Sequence, residues 1–387
     1  MALIGGKMSE VIDLCRKLVR FKSYDGNTKE VIGFLKDYLE QCGFKARVLT
    51  YENDDKEVVN LCAEYGQGHP HLLFAGHIDV VSAGDEAEWQ QPPFGAVIKE
   101  GFLYGRGVAD MKGGAACFVE ACKDFIKDNK FAGKITIIFS GDEEEPVVEG
   151  TRCILEQLHD EGEEFDFALV GEPSNPKMMG DEIKVGRRGD IVLHITSRGQ
   201  SGHTAYASAD SNAARNLINL LHAMQNDSLD AGNKFFGPST MHVTTFDVGN
   251  GATNVVPNTA KATLDIRFNS EHSYRDIEAW CNKHISQTEG KFEVTSEYIG
   301  ESFLSPIDDN IKALQKIIAE HTGKEPAYST AGGTSDARFV KNYCPVVEYG
   351  LTNGTIHKVN ECESVKNIET LYDIDKEFLR FFFQIEK

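Results

Sequence analysis

The sequence predicts an α/β fold, in which helices cover a central sheet, interrupted by a smaller α+β domain. Three short apolar runs of strand length, 72–75, 135–139 and 167–170, are each followed by Gly or Ser and then by polar residues. A helix candidate rich in small residues, 113–125, lies between the first two runs. Strands that alternate with helices are typical of α/β sheets, and a change of pattern near Asp190 indicates the second domain.

The remaining elements follow from the spacing of apolar residues. Helical periodicity covers 10–19 and 31–42, and Gly43 is placed to end the second helix. In the second domain the pattern predicts strands at 191–196, 242–248 and 260–268 and a helix at 211–224. The last of these strands alternates apolar and polar residues, as an antiparallel strand with one solvated face does.

Long helical patterns return at 310–321 and 368–383, after the second domain. A length of 387 residues also favours two domains over one. We therefore predict a discontinuous catalytic domain, 1–188 and 301–387, interrupted by a domain of 189–300.

The composition argues against some classes of binding partner. The chain has 60 acidic and 40 basic residues, a net charge of −20, which disfavours nucleic acid and anionic membrane surfaces as partners. No segment approaches the roughly 20 apolar residues of a membrane span, and the N-terminal residues lack the apolar core of a signal peptide. The nine cysteines form no C-x-x-C pair, so we expect reduced thiols and a cytoplasmic protein.

Polar residues follow each predicted strand of the first domain. His77 and Asp79 come after the first run, and strand alternation would place them on one side, so that the aspartate orients the histidine or a second ligand. Glu172 follows the third run. For the His77 and Asp79 pair taken alone, a solvated loop histidine is the alternative interpretation.

Three further segments contain residues of the kind that bind metals. Asp110 lies in a glycine-dense turn before the helix candidate, where a helix cap is the alternative. After the second run come four consecutive carboxylates, 142–145, which repel one another unless some bind a cation; a solvated acidic loop is the alternative. His357 appears where the chain has returned to the first domain.

Together these segments supply His, Asp, Glu, Glu and His, each from a separate element. The set fits two divalent ions bridged by one carboxylate, and its mixed nitrogen and oxygen ligands suit zinc, with cobalt or manganese as substitutes. A two-metal site activates water and polarises a carbonyl, but it needs a non-ligating carboxylate as base. The sequence therefore predicts a metal-dependent hydrolase.

Five motifs, GHIDVV, GRGVADMKGG, SGDEEEP, VGEPS and TIHKVNE, resemble those of the co-catalytic zinc aminoacylase and carboxypeptidase family. The resemblance runs over almost the whole chain, from about Val11 to Phe383. It implies a zinc-exopeptidase-like catalytic domain with a central mixed sheet covered by helices. It also implies that the inserted domain serves as a lid and for dimerisation.

The resemblance further implies a pair of ligands for each ion and one shared carboxylate. The implied set is His77 with Glu172, His357 with Glu144, and Asp110 between them. Asp79 would support His77, and Glu143 would be the general base. Glu145 has no implied role.

Two phrases, GRRG at 186–189 and GGTSDARF at 332–339, resemble a branch of the family whose substrates carry several carboxylates. The pocket residues implied are Lys184, Arg187, Tyr206, Arg267, Gly333, Thr334 and Asn353. A bidentate arginine matches a carboxylate in charge and shape. The expected substrate is therefore a small, acidic N-acyl amino acid, cleaved at its amide bond.

The motif SGHTAY at 201–206 lies in the inserted domain. In the family this histidine, here His203, reaches the partner's active site to stabilise the oxyanion, so the resemblance implies a homodimer through the inserted domain. Two positions depart from the family's pattern: Asp190 stands where a small hydroxyl residue is frequent, and Ala207 where proline is usual. Both leave the fine substrate preference open, and neither affects the metal ligands.

Two alternative functions remain open at this point. The nearest is another deacylase of the same family, such as an acetylornithine deacetylase, an aminoacylase or a carboxypeptidase, because the metal ligands are common to all of them. The other is a binding protein without activity on the same fold. The presence of Glu143 beside a complete ligand set argues against the second alternative.

Overall fold

The computed structural model describes residues 9–53, 56–144 and 150–385. The helices are α1 (Glu10–Val19), α2 (Lys29–Gln41), α3 (Gly113–Asp128), α4 (Thr151–Asp160), α5 (Ala213–Gln225), α6 (Tyr274–Gln287), α7 (Asp309–Thr322), α8 (Ala337–Val340) and α9 (Val365–Phe382). The strands are β1 (Lys45–Asn53), β2 (Lys56–Gln67), β3 (His71–His77), β4 (Val97–Lys99), β5 (Phe102–Tyr104), β6 (Gly133–Ser140), β7 (Phe167–Val170), β8 (Glu182–Lys184), β9 (Gly186–Arg187), β10 (Gly189–Arg198), β11 (Gly202–His203), β12 (Thr240–Asp247), β13 (Val255–Val256), β14 (Thr259–Phe268), β15 (Lys291–Gly300), β16 (Phe303–Leu304), β17 (Ala327–Ser329), β18 (Val346–Glu348) and β19 (Cys362–Ser364).

Each helix and strand predicted from apolar spacing is present, with ends that differ by a few residues. Gly43 follows α2 with a φ of 93°, the left-handed conformation expected of a glycine that ends a helix. Among the described residues, no helix combines the length and the apolar character needed to cross a membrane. The nine cysteines are free thiols.

The chain divides into two compact units. Unit 1 comprises the described residues of Met1–Val185, Ser305–Ser329 and Ser335–Lys387, and unit 2 comprises Gly186–Leu304 and Thr330–Thr334. The predicted insertion of 189–300 lies within unit 2. Its role as a lid and dimerisation domain stays a prediction.

Unit 1 is built on a mixed sheet with the strand order β1-β2-β6-β3-β7-β18-β8-β17. The four neighbours β6, β3, β7 and β18 run parallel, so their carboxyl ends lie along one edge. Every residue of β3 and β7 is buried, as expected for parallel strands with both faces covered. Phe74 of β3 stacks on Phe118 of α3 with ring centroids 4.0 Å apart, and α3 packs in turn against α1 and α9.

Unit 2 contains an antiparallel sheet with the order β12-β14-β10-β15, packed against α5 and α6. Buried residues alternate with more exposed ones in β10 and β14, so the predicted alternation at 260–268 is confirmed. The buried face includes Ile191 and Leu264, which belong to one apolar cluster with Leu217 and Ile277 of the helices.

The chain leaves unit 1 at Val185 and returns to it at Ser305, and these two residues are close in space. The first and last strands of the insertion, β9 and β16, pair with each other in antiparallel fashion. On the unit 1 side, the amide of Ser305 donates a hydrogen bond of 2.7 Å to the carbonyl oxygen of Val185. The two ends of the insertion therefore meet.

Candidate metal centre and active site

Four of the five predicted ligands follow the four parallel neighbours of the unit 1 sheet. His77 ends β3, Glu144 follows β6, Glu172 follows β7 and His357 lies beyond β18. Side chains that follow the carboxyl ends of neighbouring parallel strands meet at one edge of the sheet. The fifth residue, Asp110, arrives from the turn between β5 and α3.

The carboxylate of Asp110 lies between the two histidines. Its Oδ1 is 3.1 Å from Nε2 of His77, and its Oδ2 is 3.3 Å from Nε2 of His357. Oε1 of Glu172 is 3.7 Å from the same nitrogen of His77, and Oε1 of Glu144 is 2.9 Å from that of His357. The five residues thus form two groups that share Asp110, and in each group the ligand atoms lie within 4.8 Å of one another.

The geometry of both groups fits a divalent cation. Zinc bonds of about 2.0–2.2 Å in tetrahedral arrangement place neighbouring ligand atoms roughly 3.3–3.6 Å apart. The contacts of 2.9–3.7 Å between these side chains bracket that range. Each group offers one imidazole and carboxylate oxygens, which is a donor set that zinc accepts. The residues present therefore fit a pair of ions with a bridging carboxylate.

The electrostatics of the cluster favour positive charge at both histidines. Hydrogen bonds to Asp110 and Glu144 raise the pKa of His357 to about 10. Burial opposes protonation of His77, but its contacts with carboxylates raise its pKa well above the usual value. Burial also opposes ionisation of Asp110, yet hydrogen bonds with the two histidines hold its pKa below the usual value. A site with these properties attracts cations.

Glu143 lies beside the ligands but belongs to neither group. Burial raises its pKa to about 8; His77 lowers it, while the carboxylates of Asp336 and Glu144 raise it. A carboxyl group with a pKa near neutrality is suited to accept a proton from water and to release it again. The role of Glu143 as general base stays a prediction.

Asp79 contacts both His77 and the loop that follows β6. Nδ1 of His77 is 3.1 Å from the backbone oxygen of Asp79 and 3.6 Å from its carboxylate. The carboxylate accepts hydrogen bonds from the backbone amides of Glu143 at 3.2 Å and Glu144 at 2.9 Å. The sequence left open whether this aspartate orients the histidine or a second ligand, and the structure shows contacts with both.

The turn before α3 presents Asp110 to the histidines rather than to the helix. The helix begins at Gly113, and Lys112 occupies the capping position, so the cap interpretation of Asp110 is wrong. Gly107 has a φ of 80°, and a Cβ there would lie 2.4 Å from Cγ1 of Val80, so this turn requires glycine. Glu145, the last of the four consecutive carboxylates, lies outside the described residues.

Two of the predicted pocket residues belong to unit 1. Lys184 is buried on β8, where its ammonium pairs with Glu182 and donates to Oγ of Ser329 at 3.2 Å. The side chain of Asn353 donates a hydrogen bond of 3.4 Å to the carbonyl oxygen of Pro173, next to Glu172. Both side chains are thus held by neighbouring residues of the same unit.

Arg187 and Gly333 lie together in unit 2. Nη1 of Arg187 donates to the carbonyl oxygen of Gly333 at 3.0 Å. A Cβ on Gly332 would lie 2.6 Å from that nitrogen, so glycine at this position makes room for the guanidinium. Nη1 also donates to the carbonyl oxygen of Ala331 at 3.4 Å, so this guanidinium is held by the 331–333 segment.

Arg267 is paired with two carboxylates of unit 2. Its Nε and Nη2 donate to Asp265 at 2.8 and 2.9 Å, and its Nη1 is 2.8 Å from Oδ2 of Asp190. The same Nη1 donates to Oγ1 of Thr334 at 3.2 Å. Asp190 and Arg267 are direct cross-strand partners of β10 and β14. The departure from the family's pattern at Asp190 therefore places a carboxylate on a predicted substrate-binding arginine.

His203 and Tyr206 are exposed on the surface of unit 2. His203 ends β11, opposite Val255 of β13, and its Nδ1 accepts a hydrogen bond of 3.2 Å from the amide of Ala205. Tyr206 is 89% exposed, and its ring centroid is 5.6 Å from that of His203. The role of His203 in a partner's active site stays a prediction.

Two buried carboxylates near the site were not predicted. Asp336 lies close enough to Glu143 to raise its pKa, and Glu361 contacts the turn that carries Asp110. Both residues lie within motifs named in the sequence analysis, Asp336 in GGTSDARF and Glu361 in TIHKVNE. Their positions within these motifs were the only sequence signal that could have indicated a place near the site.

Comparison with known proteins assigns the chain to a family of metal-dependent hydrolases. A model of Peptidase family M20/M25/M40 matches residues 73–380, and the chain belongs to this family. Among its relatives, the succinyl-diaminopimelate desuccinylase of Ehrlichia chaffeensis is 42% identical over 375 residues, which are 97% of this chain and 98% of that one.

Solved structures share the fold over nearly the whole chain. The M20 family metallo-carboxypeptidase from Sulfolobus solfataricus matches with a TM-score of 0.78 and 19% identity, covering 98% of this chain and 100% of that one. A dinuclear metal binding peptidase of the M20 family from Bacillus subtilis matches with a TM-score of 0.69 and 14% identity, covering 97% and 98%. At these identities the likeness shows the fold alone.

Proposed function

We propose that this chain is a two-metal amidohydrolase that converts N-succinyl-LL-2,6-diaminopimelate to succinate and LL-2,6-diaminopimelate. The observation that carries the proposal is the position of Asp110 between two groups that each contain a histidine and a glutamate. Family membership supports hydrolysis of an amide. The relative of 42% identity supports the succinylated substrate, because it matches nearly the full length of both chains. This activity would serve bacterial lysine and cell-wall precursor synthesis, and the free thiols support a cytoplasmic location.

Five residues would hold the metals. His77 and Glu172 would bind one ion, His357 and Glu144 the other, and Asp110 both. Zinc suits these ligands best, with cobalt or manganese as substitutes. The ions, when bound, would lower the pKa of a water molecule and polarise the scissile carbonyl.

Glu143 would act as the general base. It lies next to both ligand groups without belonging to either, so its carboxylate would stay available for proton transfer. It would take the proton of the attacking water and pass it to the departing amino group. Asp79 would keep Glu143 in place, because its carboxylate accepts a hydrogen bond from the backbone amide of Glu143.

Arg187 would recognise a carboxylate of the substrate. Its Nη1 donates to the carbonyl oxygen of Gly333, another residue of the implied pocket. Arg267 would face the substrate's carboxylates as well. The remaining pocket residues proposed are Lys184, Tyr206, Gly333, Thr334 and Asn353.

Assembly completes the proposal. A homodimer through unit 2 would bring His203 of each chain to the active site of its partner, where the imidazole would stabilise the oxyanion. The exposure of His203 and Tyr206 supports such a role, since both side chains are accessible to another chain.

One assay tests the activity and separates it from the alternatives. Metal-stripped protein should hydrolyse N-succinyl-diaminopimelate only after zinc is added, and much faster than it hydrolyses N-acetylornithine. Faster hydrolysis of N-acetylornithine would favour a related deacylase. Binding of zinc without hydrolysis of either compound would favour a binding protein on this fold.

A further inference from the structure

Glu361 is a buried carboxylate that holds the turn carrying Asp110. Its side chain is 1% exposed. Its Oε2 accepts hydrogen bonds from Nη1 of Arg106 at 2.7 Å and from the amide of Gly107 at 2.9 Å. Its Oε1 accepts from the amide of Ala109 at 2.9 Å and from that of Asp110 at 3.3 Å. Each oxygen therefore binds two donors of the same turn.

The main chain of Glu361 contacts this turn as well. Its carbonyl oxygen accepts a hydrogen bond of 3.0 Å from the amide of Gly105. His357 lies on the same segment as Glu361, shortly before it in the sequence. Glu361 thus connects the segment that carries one histidine of the site to the turn that carries the shared carboxylate.

We propose that Glu361 is a positioning residue, which fixes Asp110 for both metals of the proposed function without contacting either ion. Without this carboxylate, the amides of Gly107 and Ala109 would be buried without their acceptor, which is unfavourable. The turn would then rearrange or become mobile. A ligand on a mobile turn must be ordered when the ion binds, which lowers affinity.

Glu363 provides a matched comparison. It is also buried, with 2% exposure, and lies on the same segment. Its donors are the amide and Oγ1 of Thr352, the amide of Ser364 and Nδ2 of Asn367, at 2.6–2.9 Å. Within the described part of the chain, none of the donors to this carboxylate belongs to the turn of Asp110. Glu363→Gln therefore disturbs a similar network at a different place.

The experiment compares zinc affinity with stability. Metal-stripped wild type, Glu361→Gln and Glu363→Gln are titrated with zinc against a chromophoric chelator, and their thermal unfolding is recorded. Glu361→Gln should lose about 10- to 100-fold in zinc affinity at both sites, while Glu363→Gln stays within about twofold of wild type. Both variants should have a lower Tm.

Wild-type affinity in Glu361→Gln, or equal losses in the two variants, would overturn the inference and leave the proposed function intact. A wild-type chain that binds no zinc would overturn both. If Glu361→Gln does not fold, Glu361→Asp is compared with Glu363→Asp, since both keep the charge and shorten the side chain. Weaker zinc binding by Glu361→Asp alone would then support the positioning role, and equal binding would refute it.

Discussion

Oδ2 of Asp110 lies 3.3 Å from Nε2 of His357, and the other oxygen of this carboxylate faces His77. One side chain thus belongs to both candidate ligand groups, whereas each glutamate belongs to one. This difference predicts how individual substitutions change the metal content.

Asp110→Asn should weaken binding of both metal ions, whereas Glu172→Gln should weaken binding only of the ion at His77. Chelated wild type should lose its activity and regain it with zinc. Elemental analysis after dialysis against a fixed zinc concentration measures the content, with two ions expected for wild type, one for Glu172→Gln and fewer than one for Asp110→Asn. Full turnover by protein shown to be free of metal would refute the metal-dependent function.

Glu143→Gln should reduce kcat while metal content stays near two ions. The substitution removes the base but keeps the shape of the side chain, and loss of general-base action costs about 10²- to 10⁴-fold in rate. Glu144→Gln is the comparison, because it should lose metal as well as activity. If Glu143→Gln loses metal and Glu144→Gln does not, the roles assigned to these two residues must be exchanged.

Arg187→Ala should raise KM for the succinylated substrate about 10- to 100-fold, because a charge-assisted hydrogen bond contributes about 1.5–3 kcal/mol. The increase should be smaller for an analogue with a neutral acyl group. Arg188→Ala is the matched control, since its guanidinium contacts Oγ1 of Thr240 at 3.4 Å and is not assigned to the substrate. Equal effects of Arg187→Ala on both substrates would mean that this arginine serves the fold.

His203→Ala should lower kcat by about 10²- to 10³-fold with metal content unchanged, as expected for loss of an oxyanion donor. A mixture of His203→Ala and Glu143→Gln chains tests whether the histidine acts on the partner. After subunit exchange, the mixed dimer has one complete site, with Glu143 from one chain and His203 from the other, so activity should reappear. Native mass spectrometry verifies that mixed dimers form. Activity no greater than the sum of the parents would then contradict the trans arrangement.

Asp375→Asn should stabilise the protein, and more so at higher pH. Asp375 is buried on α9, and burial raises its pKa well above the usual value. A folded-state pKa above the unfolded value of about 3.9 means that the ionised residue destabilises the fold, by an amount that grows as pH rises between these two values. Urea unfolding at pH 5 and pH 8 measures the gain. Asp373→Asn, at an exposed position of the same helix, should change stability little at either pH.

The residues that end the central strands could be predicted from sequence. Apolar runs such as 167–170 are buried on both faces, and the polar residue that follows each run marks the edge where ligands gather. The strand β1 gave no such signal, because it lies at the edge of the sheet, where Val48 is 42% exposed and few apolar residues are needed.

Contacts between distant parts of the chain could not be predicted. The pairing of Asp190 with Arg267 depends on the register of β10 against β14, which no local pattern reveals. Thr330–Thr334 belongs to unit 2 although it follows the return to unit 1, and Oγ1 of Thr330 donates to the carbonyl oxygen of Phe235 at 2.6 Å. The contact of Glu361 with the Asp110 turn is of the same kind.

The meeting of Val185 and Ser305 has a consequence for the order of folding. Closing a long flexible loop costs entropy that grows with the logarithm of its length. If Gly186–Leu304 folds first, the pairing of β9 with β16 already brings its two ends together. The strands of the unit 1 sheet that precede the insertion and the two that follow it, β17 and β18, then find each other as if a short linker joined them. Early folding of the insertion should therefore speed assembly of the unit that surrounds it in the sequence.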